Sequence, residues 1–457
     1  MAVINELLKM QQYFKTGATR LYDFRKAQLL KLRASIIKHQ DAIENALYQD
    51  LKKSPEETWI TETGFLLSEI TYILSHLQSW MKTDSIPTNL LNFPSKSYIV
   101  KEPLGTVLII GPWNYPLQLL LTPLAGAIAA GNCVVLKPSE FAPATATIMR
   151  QIIKETFNEN YVLYVEGDGA TVIPEMMNHF IFDHVFYTGS TAVGKIIYEM
   201  AAKNLVPVTL ELGGKSPCVV EADADITVAA KRIVMGKFSN AGQMCVTPDY
   251  VLVHTSKKDA LMTALKHTII NFLGEDAIKS YDYGRIINAK QFDRLLTYFT
   301  PGNIFYGGKN DKNQLYIEPT LLHNITMDLA IMKEEIFGPI LPILSFTTMQ
   351  QAMDIIDKNK NPLAFYIFTS NKETEKKWID AIPFGGGCVN NVVFHLTNHK
   401  LPFGGRGSSG TGSYHGKFSF DTFTHKKAIL KTPTWFDPKA KYPSFKGKLK
   451  IFKWFMK

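Results

Sequence analysis

Cysteine is scarce in this chain: Cys133, Cys218, Cys245 and Cys388 are the only four in 457 residues, and no two form a CxxC pair. That argues against a disulfide framework and a structural zinc site, so no metal is expected, and it fits a reducing compartment. Also missing are Gly/Ser-rich linkers, low-complexity blocks and internal repeats. A chain too long for one core is therefore expected to pack as two or three domains without a loose tether. Clefts between such domains commonly bind ligands. The N-terminal stretch MAVINELLKMQQYFKTG has neither an apolar signal core nor a small-residue cleavage site, which makes a cytoplasmic protein the expectation.

The formal net charge is +9, but the excess is local. Residues 426–457 hold ten lysines and one acid, Asp437, and the rest of the chain is balanced. A basic protein raises the question of nucleic acid; a balanced body with one basic tail gives that reading no support. Within the tail, residues 446–457 interleave five lysines with Leu449, Ile451, Phe452, Trp454, Phe455 and Met456. This is a basic amphipathic pattern, too short and too charged to span a bilayer. Its aromatics are expected to pack on the body of the protein, with weak peripheral membrane contact as the alternative.

Charge is absent altogether from residues 104–136, a stretch long enough to cross a membrane. Pro112, Pro116 and Pro123 break it, and Asn114, Gln118 and Asn132 punctuate it. It reads as a buried strand over 104–111, a buried helix over 117–130 and a second strand over 133–136. Residues 6–80 read as helical, 184–186 as a strand, 192–202 as a helix, 208–212 and 218–220 as strands, and 226–238 as a helix. Alternating strands and helices predict an α/β protein with a parallel sheet.

Chemistry-bearing residues cluster at the predicted strand ends. Pro112-Trp113-Asn114-Tyr115-Pro116 places a side-chain amide where ligands of open α/β sheets sit. Asn114 could donate to an oxyanion or simply satisfy the turn. Lys137-Pro138-Ser139-Glu140 could grip the two hydroxyls of a ribose, or be a solvated turn with a helix cap. Thr188-Gly189-Ser190 leads into a helix containing Gly194, a junction that favours phosphate, although its glycine spacing is not GxGxxG. Glu211-Leu212-Gly213-Gly214-Lys215 ends an apolar strand with an acid. In an apolar cleft Glu211 would have a raised pKa suited to a general base; an ion pair with Lys215 is the alternative. Gly242-Gln243-Met244-Cys245 puts one cysteine in a polar loop, whereas the other three lie in apolar, strand-like stretches. A thiol there needs a base or helix terminus to become a nucleophile. Glu334-Glu335-Ile336-Phe337-Gly338-Pro339 offers an acid for a ribose and an aromatic for a flat ring, or a core aromatic.

Taken in order, PWNYP, KPSE, TGST, ELGGK, GQxC, EEIFGP and LPFGG (residues 401–405) resemble the aldehyde dehydrogenase superfamily over about residues 100–425. ELGGK followed by GQxC is its most specific element. The lack of a long N-terminal extension, together with the segment 413–421 (SYHGKFSFD), Val389-Asn390 and His395, is similar to the class 3 branch, which includes fatty and aromatic aldehyde dehydrogenases. The resemblance implies oxidation of aldehydes to carboxylic acids with NAD, or NADP, on medium- or long-chain aliphatic or aromatic substrates. It implies Cys245 as nucleophile, Glu211 as the base that activates water, and Asn114 as oxyanion donor. Pro112, Trp113, Lys137, Ser139, Glu140, Thr188, Gly189, Ser190, Gly194, Leu212, Glu335 and Phe337 would bind the cofactor. The implied fold has a Rossmann-like cofactor domain (1–82 and 104–210), a catalytic α/β domain (211–397) and a small β oligomerisation extension (83–103 and 398–421) that makes a homodimer, followed by the basic tail (422–457). Two rivals remain: a coenzyme A-acylating relative, against which the retained Glu211 argues, and a non-catalytic protein on the same fold, against which the intact motifs argue.

Overall fold

The computed structural model describes residues 2–299 and 302–456. The uncharged segment forms what its composition predicts: strand Thr106–Ile110, helix Gln118–Ala130 and strand Cys133–Lys137. Every residue of that helix is buried, which is why it is apolar all round rather than on one face. Its N-terminus is held by a carboxylate: the Leu117 and Gln118 backbone N–H groups donate to Glu62 Oε2 at 3.1 and 2.9 Å, satisfying orphan donors of the first turn. Among the described residues no helix is long and apolar enough to cross a membrane.

The first α/β layer is a six-stranded sheet in the order Gly410–Thr411, Val208–Glu211, His184–Thr188, Thr106–Ile110, Cys133–Lys137, Val162–Tyr164. All neighbours are parallel except the Gly410–Thr411 edge. The chain starts at Thr106–Ile110, winds outward through two strands, then returns to build on the other side. The strand ends at this switch of direction are where an open α/β sheet binds its ligand. They carry Asn114 just beyond Ile110, Lys137, Thr188 and Glu211.

A second sheet of seven strands contains the parallel core Ile340–Phe346, Tyr250–His254, Pro217–Val220, Ala364–Phe368, Gly386–Val389. Helix Ile226–Phe238 feeds from it into the loop that bears Cys245. The third sheet is antiparallel: Asp84–Ile86, Lys96–Pro103 and Thr424–Lys431.

That third sheet corrects the expected extension. Residues 83–103 do enter it, but its last strand is Thr424–Lys431, from the segment assigned to the tail, and not 398–421. Residues 398–421 turn back onto the body: Gly410–Thr411 pairs with Val208–Glu211, and Phe420 and Tyr414 are buried. The reason is burial: Lys426, Lys427 and Lys431 suit a solvated edge strand with no buried residue, whereas the aromatics of 414–423 suit a core.

The tail also departs from expectation. Its last helix, Leu449–Phe455, has no buried residue, and Trp435, Trp454 and Met456 are 78%, 66% and 76% exposed. The aromatics pair with one another, Phe445 with Phe452 and Trp454 with Phe455, and do not pack on the body. Lysines at 446, 448, 450 and 453 solvate a helix too short to offer the body a broad apolar face.

Candidate active site

The loop after helix Ile226–Phe238 is locally strained. Asn240 and Ala241 adopt left-handed backbone at φ 49° and 50°, and Gly242 follows at φ 74°. A side chain at Gly242 would meet the Gly338 carbonyl at 2.3 Å, so only glycine lets this loop abut the Glu334–Pro339 segment. Buried side-chain bonds hold the shape. Gln243 donates to the Asn240 and Arg285 carbonyls at 3.0 and 2.9 Å and accepts from Ile287 N–H at 3.0 Å. Glu57 accepts from Asn240 N–H at 2.7 Å.

Cys245 leaves this loop half-buried at the wall of a cavity of about 710 Å³. Phe65, Leu119, Phe238, Met244, Phe403 and Tyr414 supply much of the lining, and Glu56 and Asp282 lie at its exposed rim. Asn114 reaches the same loop: its amide donates to the Gln243 carbonyl at 3.0 Å, which leaves its second N–H free to serve a ligand. The backbone of Asn114 is pinned in turn, since its carbonyl accepts from Lys53 Nζ at 3.1 Å and from the Asn240 amide at 2.8 Å.

Glu211 is buried at the end of its strand, and neither carboxylate oxygen finds a hydrogen-bond partner among the described residues. The alternative ion pair does not form: Lys215 instead bonds Asp249 at 2.5 Å. Burial pushes the Glu211 carboxyl well up. The Cys245 thiol is also pushed up, first by desolvation and then by the charges of Glu335 and Glu211 that face it. A buried acid without a partner, beside the one cysteine on a cavity wall, is a costly arrangement.

The other predicted positions gather along the first sheet's C-terminal edge. Lys137 Nζ bonds Glu140 at 3.0 Å and the Pro138 carbonyl at 2.7 Å, and Ser139 accepts from Phe141 N–H at 3.3 Å. Thr188 ends its strand, and Ser190 caps helix Thr191–Ala202 through Val193 N–H at 3.4 Å. Gly194 serves packing: a Cβ there would meet Leu212 at 2.6 Å. Gly189 likewise lies under the Tyr187 hydroxyl, so neither glycine needs a phosphate to explain it. Trp113, beside Pro112, meets Phe337 edge-on at 5.2 Å. The Glu335 carboxylate lies over Gly213, where a Cβ would stand 1.9 Å from Oε2. Its Oε1 is buried and without a partner among the described residues, and burial raises its pKa to about 8. An unsatisfied carboxylate oxygen at a sheet edge fits a hydroxyl-bearing ligand such as a ribose.

Three features escape the sequence. Tyr115 and Tyr414 line the cavity, and both lie inside motifs read for other residues. Lys53 and Glu62, both 0% exposed and bonded at 2.7 Å, buttress Asn114 and the Gln118–Ala130 helix from a helical region read only for its periodicity.

Similarity to known proteins fixes the family. A model of the aldehyde dehydrogenase family matches residues 7–429. The chain belongs to that family. It is 48% identical over 447 residues to the 4,4'-diaponeurosporen-aldehyde dehydrogenase of Staphylococcus aureus, covering 97% of each chain. It is 41% identical over 452 residues to a protein of Canis lupus familiaris named aldehyde dehydrogenase, dimeric NADP-preferring, covering 98% of this chain and 99% of that one. Aldehyde dehydrogenase family 3 member A2 of Rattus norvegicus is 43% identical over 425 residues, with 93% of this chain and 87% of that one covered. Among solved structures, the substrate-bound state of Staphylococcus aureus AldH superposes with a TM-score of 0.97 at 47% identity, over 100% of this chain and 99% of that chain. The class 3 resemblance and the α/β fold thus hold. The enzyme oxidises aldehydes to carboxylic acids with NAD(P), as its family does.

Proposed function

We propose that Cys245 is the nucleophile of this aldehyde dehydrogenase, Glu211 the base that releases the acid, and Asn114 the oxyanion donor. The observation that carries this is the meeting of three things: a thiol on an apolar cavity wall, a buried carboxylate without a partner whose charge acts on that thiol, and an amide with one N–H to spare. The Cys245 thiol loses its proton to solvent water, its sulfur attacks the aldehyde carbon as the C=O π bond opens, and the new oxyanion is held by Asn114 Nδ2 and the Cys245 N–H. Removing one such donor costs about 2.7–4 kcal/mol. When bound, NAD supplies a cationic ring that accepts the hydride and whose charge favours the anionic forms of thiol and carboxyls that burial disfavours. The thioester left on Sγ is attacked by water, whose proton goes to Glu211, and the C–S bond breaks to give acid and free cysteine.

Lys137, Ser139 and Glu140 bind the adenosine ribose in this reading, with Thr188, Gly189, Ser190, Gly194 and Leu212 along the pyrophosphate. Glu335 and Phe337, beside Pro112 and Trp113, serve the nicotinamide ribose and ring. Glu140 would repel a 2′-phosphate, so NAD is the preferred cofactor and NADP a poorer one. The apolar cavity wall supports medium- or long-chain aliphatic or aromatic aldehydes. Exposed Leu90, Leu91 and Phe93 beside the projecting sheet support a homodimer built through that sheet. The basic, aromatic tail supports weak peripheral contact with an anionic membrane by an otherwise cytoplasmic enzyme.

The test is NADH formation across a panel of aliphatic and aromatic aldehydes, repeated with NADP. Rates that climb with the apolar bulk of the aldehyde, and a higher kcat/KM with NAD, are expected. A preference for short, charged aldehydes, or equal efficiency with both cofactors, would contradict the corresponding part.

A further inference from the structure

The catalytic scheme leaves a buried ion pair unused. Lys215 closes the ELGGK segment four residues after Glu211, and Asp249 follows Cys245 by four residues; both are buried. Their 2.5 Å contact is only part of what they do. Lys215 Nζ also donates to the Ile331 carbonyl at 2.7 Å and the Glu334 carbonyl at 3.0 Å. Asp249 Oδ1 accepts from Ile336 N–H at 2.9 Å, and its own N–H bonds the Ser216 carbonyl at 2.8 Å. The pair therefore seizes the backbone on both sides of Glu335. Just beyond, Phe337 stands in left-handed backbone at φ 50°, a conformation a bulky residue keeps only when its surroundings impose it.

A further tether supports this loop from outside. Arg294 donates to the Ile336 carbonyl at 2.7 Å and the Glu335 carbonyl at 3.4 Å. Arg294, however, is part-buried and touches neither the Glu211 segment nor the Cys245 segment in these bonds. Among the described residues, Lys215 and Asp249 bond to one another and to the backbone on both sides of Glu335, and so join the segments of the base and the nucleophile to the Glu335–Phe337 loop. Charge alone does not explain the pair, because replacing such a pair by apolar groups is often neutral for stability. Its backbone bonds give it a specific task.

We infer that Lys215 and Asp249 are positioning residues, which hold the Glu335–Phe337 loop in register with Cys245 and Glu211 so that the nicotinamide end of the cofactor meets the thiohemiacetal. This rests on the reading of Glu335 and Phe337 as the nicotinamide side of the site. Neither residue lines the cavity beside Cys245. Their loss loosens the loop while leaving the thiol and Glu211 on their own segments.

Lys215→Met removes all three donations. Lys237 is buried, its ammonium has no hydrogen-bond partner among the described residues, and the charge of Asp249 raises its pKa against desolvation, so a second cation lies near Asp249 when Lys215 is lost. Three readouts are compared with the unaltered full-length enzyme: NADH affinity by fluorescence titration, NAD-dependent aldehyde oxidation, and hydrolysis of p-nitrophenyl acetate without cofactor. The last needs the thiol and an activated water but no nicotinamide. We expect NADH affinity and the KM for NAD to worsen tenfold or more, ester hydrolysis to stay within threefold, and Lys215→Arg to recover most of the loss. Unchanged NADH affinity, or a parallel fall of ester hydrolysis and oxidation in a folded variant, overturns the inference. If Lys215→Met does not fold, Lys215→Gln, which retains one donor, carries the same test at about threefold. Failure of the unaltered enzyme to oxidise aldehydes would strike the proposed function instead.

Discussion

Beneath the cleft, Lys53 and Glu62 are each 0% exposed and meet at 2.7 Å, while at the other end of the chain five lysines share residues 446–457 with aromatics that stand in solvent. The first kind of charge is expensive to bury and is spent on a few backbone groups: Asn114 O, Leu117 N–H and Gln118 N–H. The second is solvated, and its individual contacts are worth little. Glu211 belongs with the first kind but differs from it. It is buried without a counter-charge or hydrogen bond among the described residues, which is unfavourable for folding and useful for taking a proton. The contrast predicts that changes near the cleft act on chemistry or stability, whereas changes in the tail act on association alone.

The largest effect should come from Cys245→Ala, which leaves no atom to form the thiohemiacetal. Steady-state NADH formation should vanish at every aldehyde concentration, with an unchanged circular dichroism spectrum. Next, Lys53→Met should cost about 3–5 kcal/mol of stability, because it strands Glu62 in the core. Denaturant unfolding reads this directly, and a loss under 1 kcal/mol would show that Glu62 does not depend on Lys53 for its charge balance. A smaller effect concerns reactivity. With the thiol's pKa raised by burial and by two facing carboxyls, alkylation of Cys245 by iodoacetamide without cofactor should be slow at pH 7. It should accelerate as pH rises into the alkaline range, and a pH-independent rate would oppose that picture. The smallest effect on catalysis should come from truncation after Tyr442. Oxidation of soluble aldehydes should stay within twofold, while salt-sensitive binding to anionic vesicles should disappear. Equal vesicle binding by the truncated protein would remove the membrane reading.

How much of this was legible depended on whether a feature is local in the chain. The uncharged run 104–136 declared two strands and a buried helix, because full burial on both sides of a sheet demands it. Segment 226–238 read correctly as a helix for its periodicity. Segment 398–421 was placed in the extension by the resemblance alone, while its own Tyr414 and Phe420 carry it back into the core. The nearest basic neighbour of Glu211 in sequence, Lys215, offered an ion pair as the alternative to a general base. The structure turns Lys215 toward Asp249, 34 positions away, a choice that no local pattern encodes. Lys53 and Glu62 were invisible for the same reason: their targets lie 55 to 61 positions further along.

The central claim is that Cys245 and Glu211 divide the work, the thiol forming the covalent bond and the carboxylate activating the water that breaks it. Rapid-mixing NADH absorbance of Glu211→Gln, with mass spectrometry of the acid-quenched protein, tests it most directly. The account predicts a burst of up to one NADH per active site, then arrest, with an acyl group on Cys245. Steady turnover of Glu211→Gln near the unaltered rate, with no acyl adduct, would contradict it.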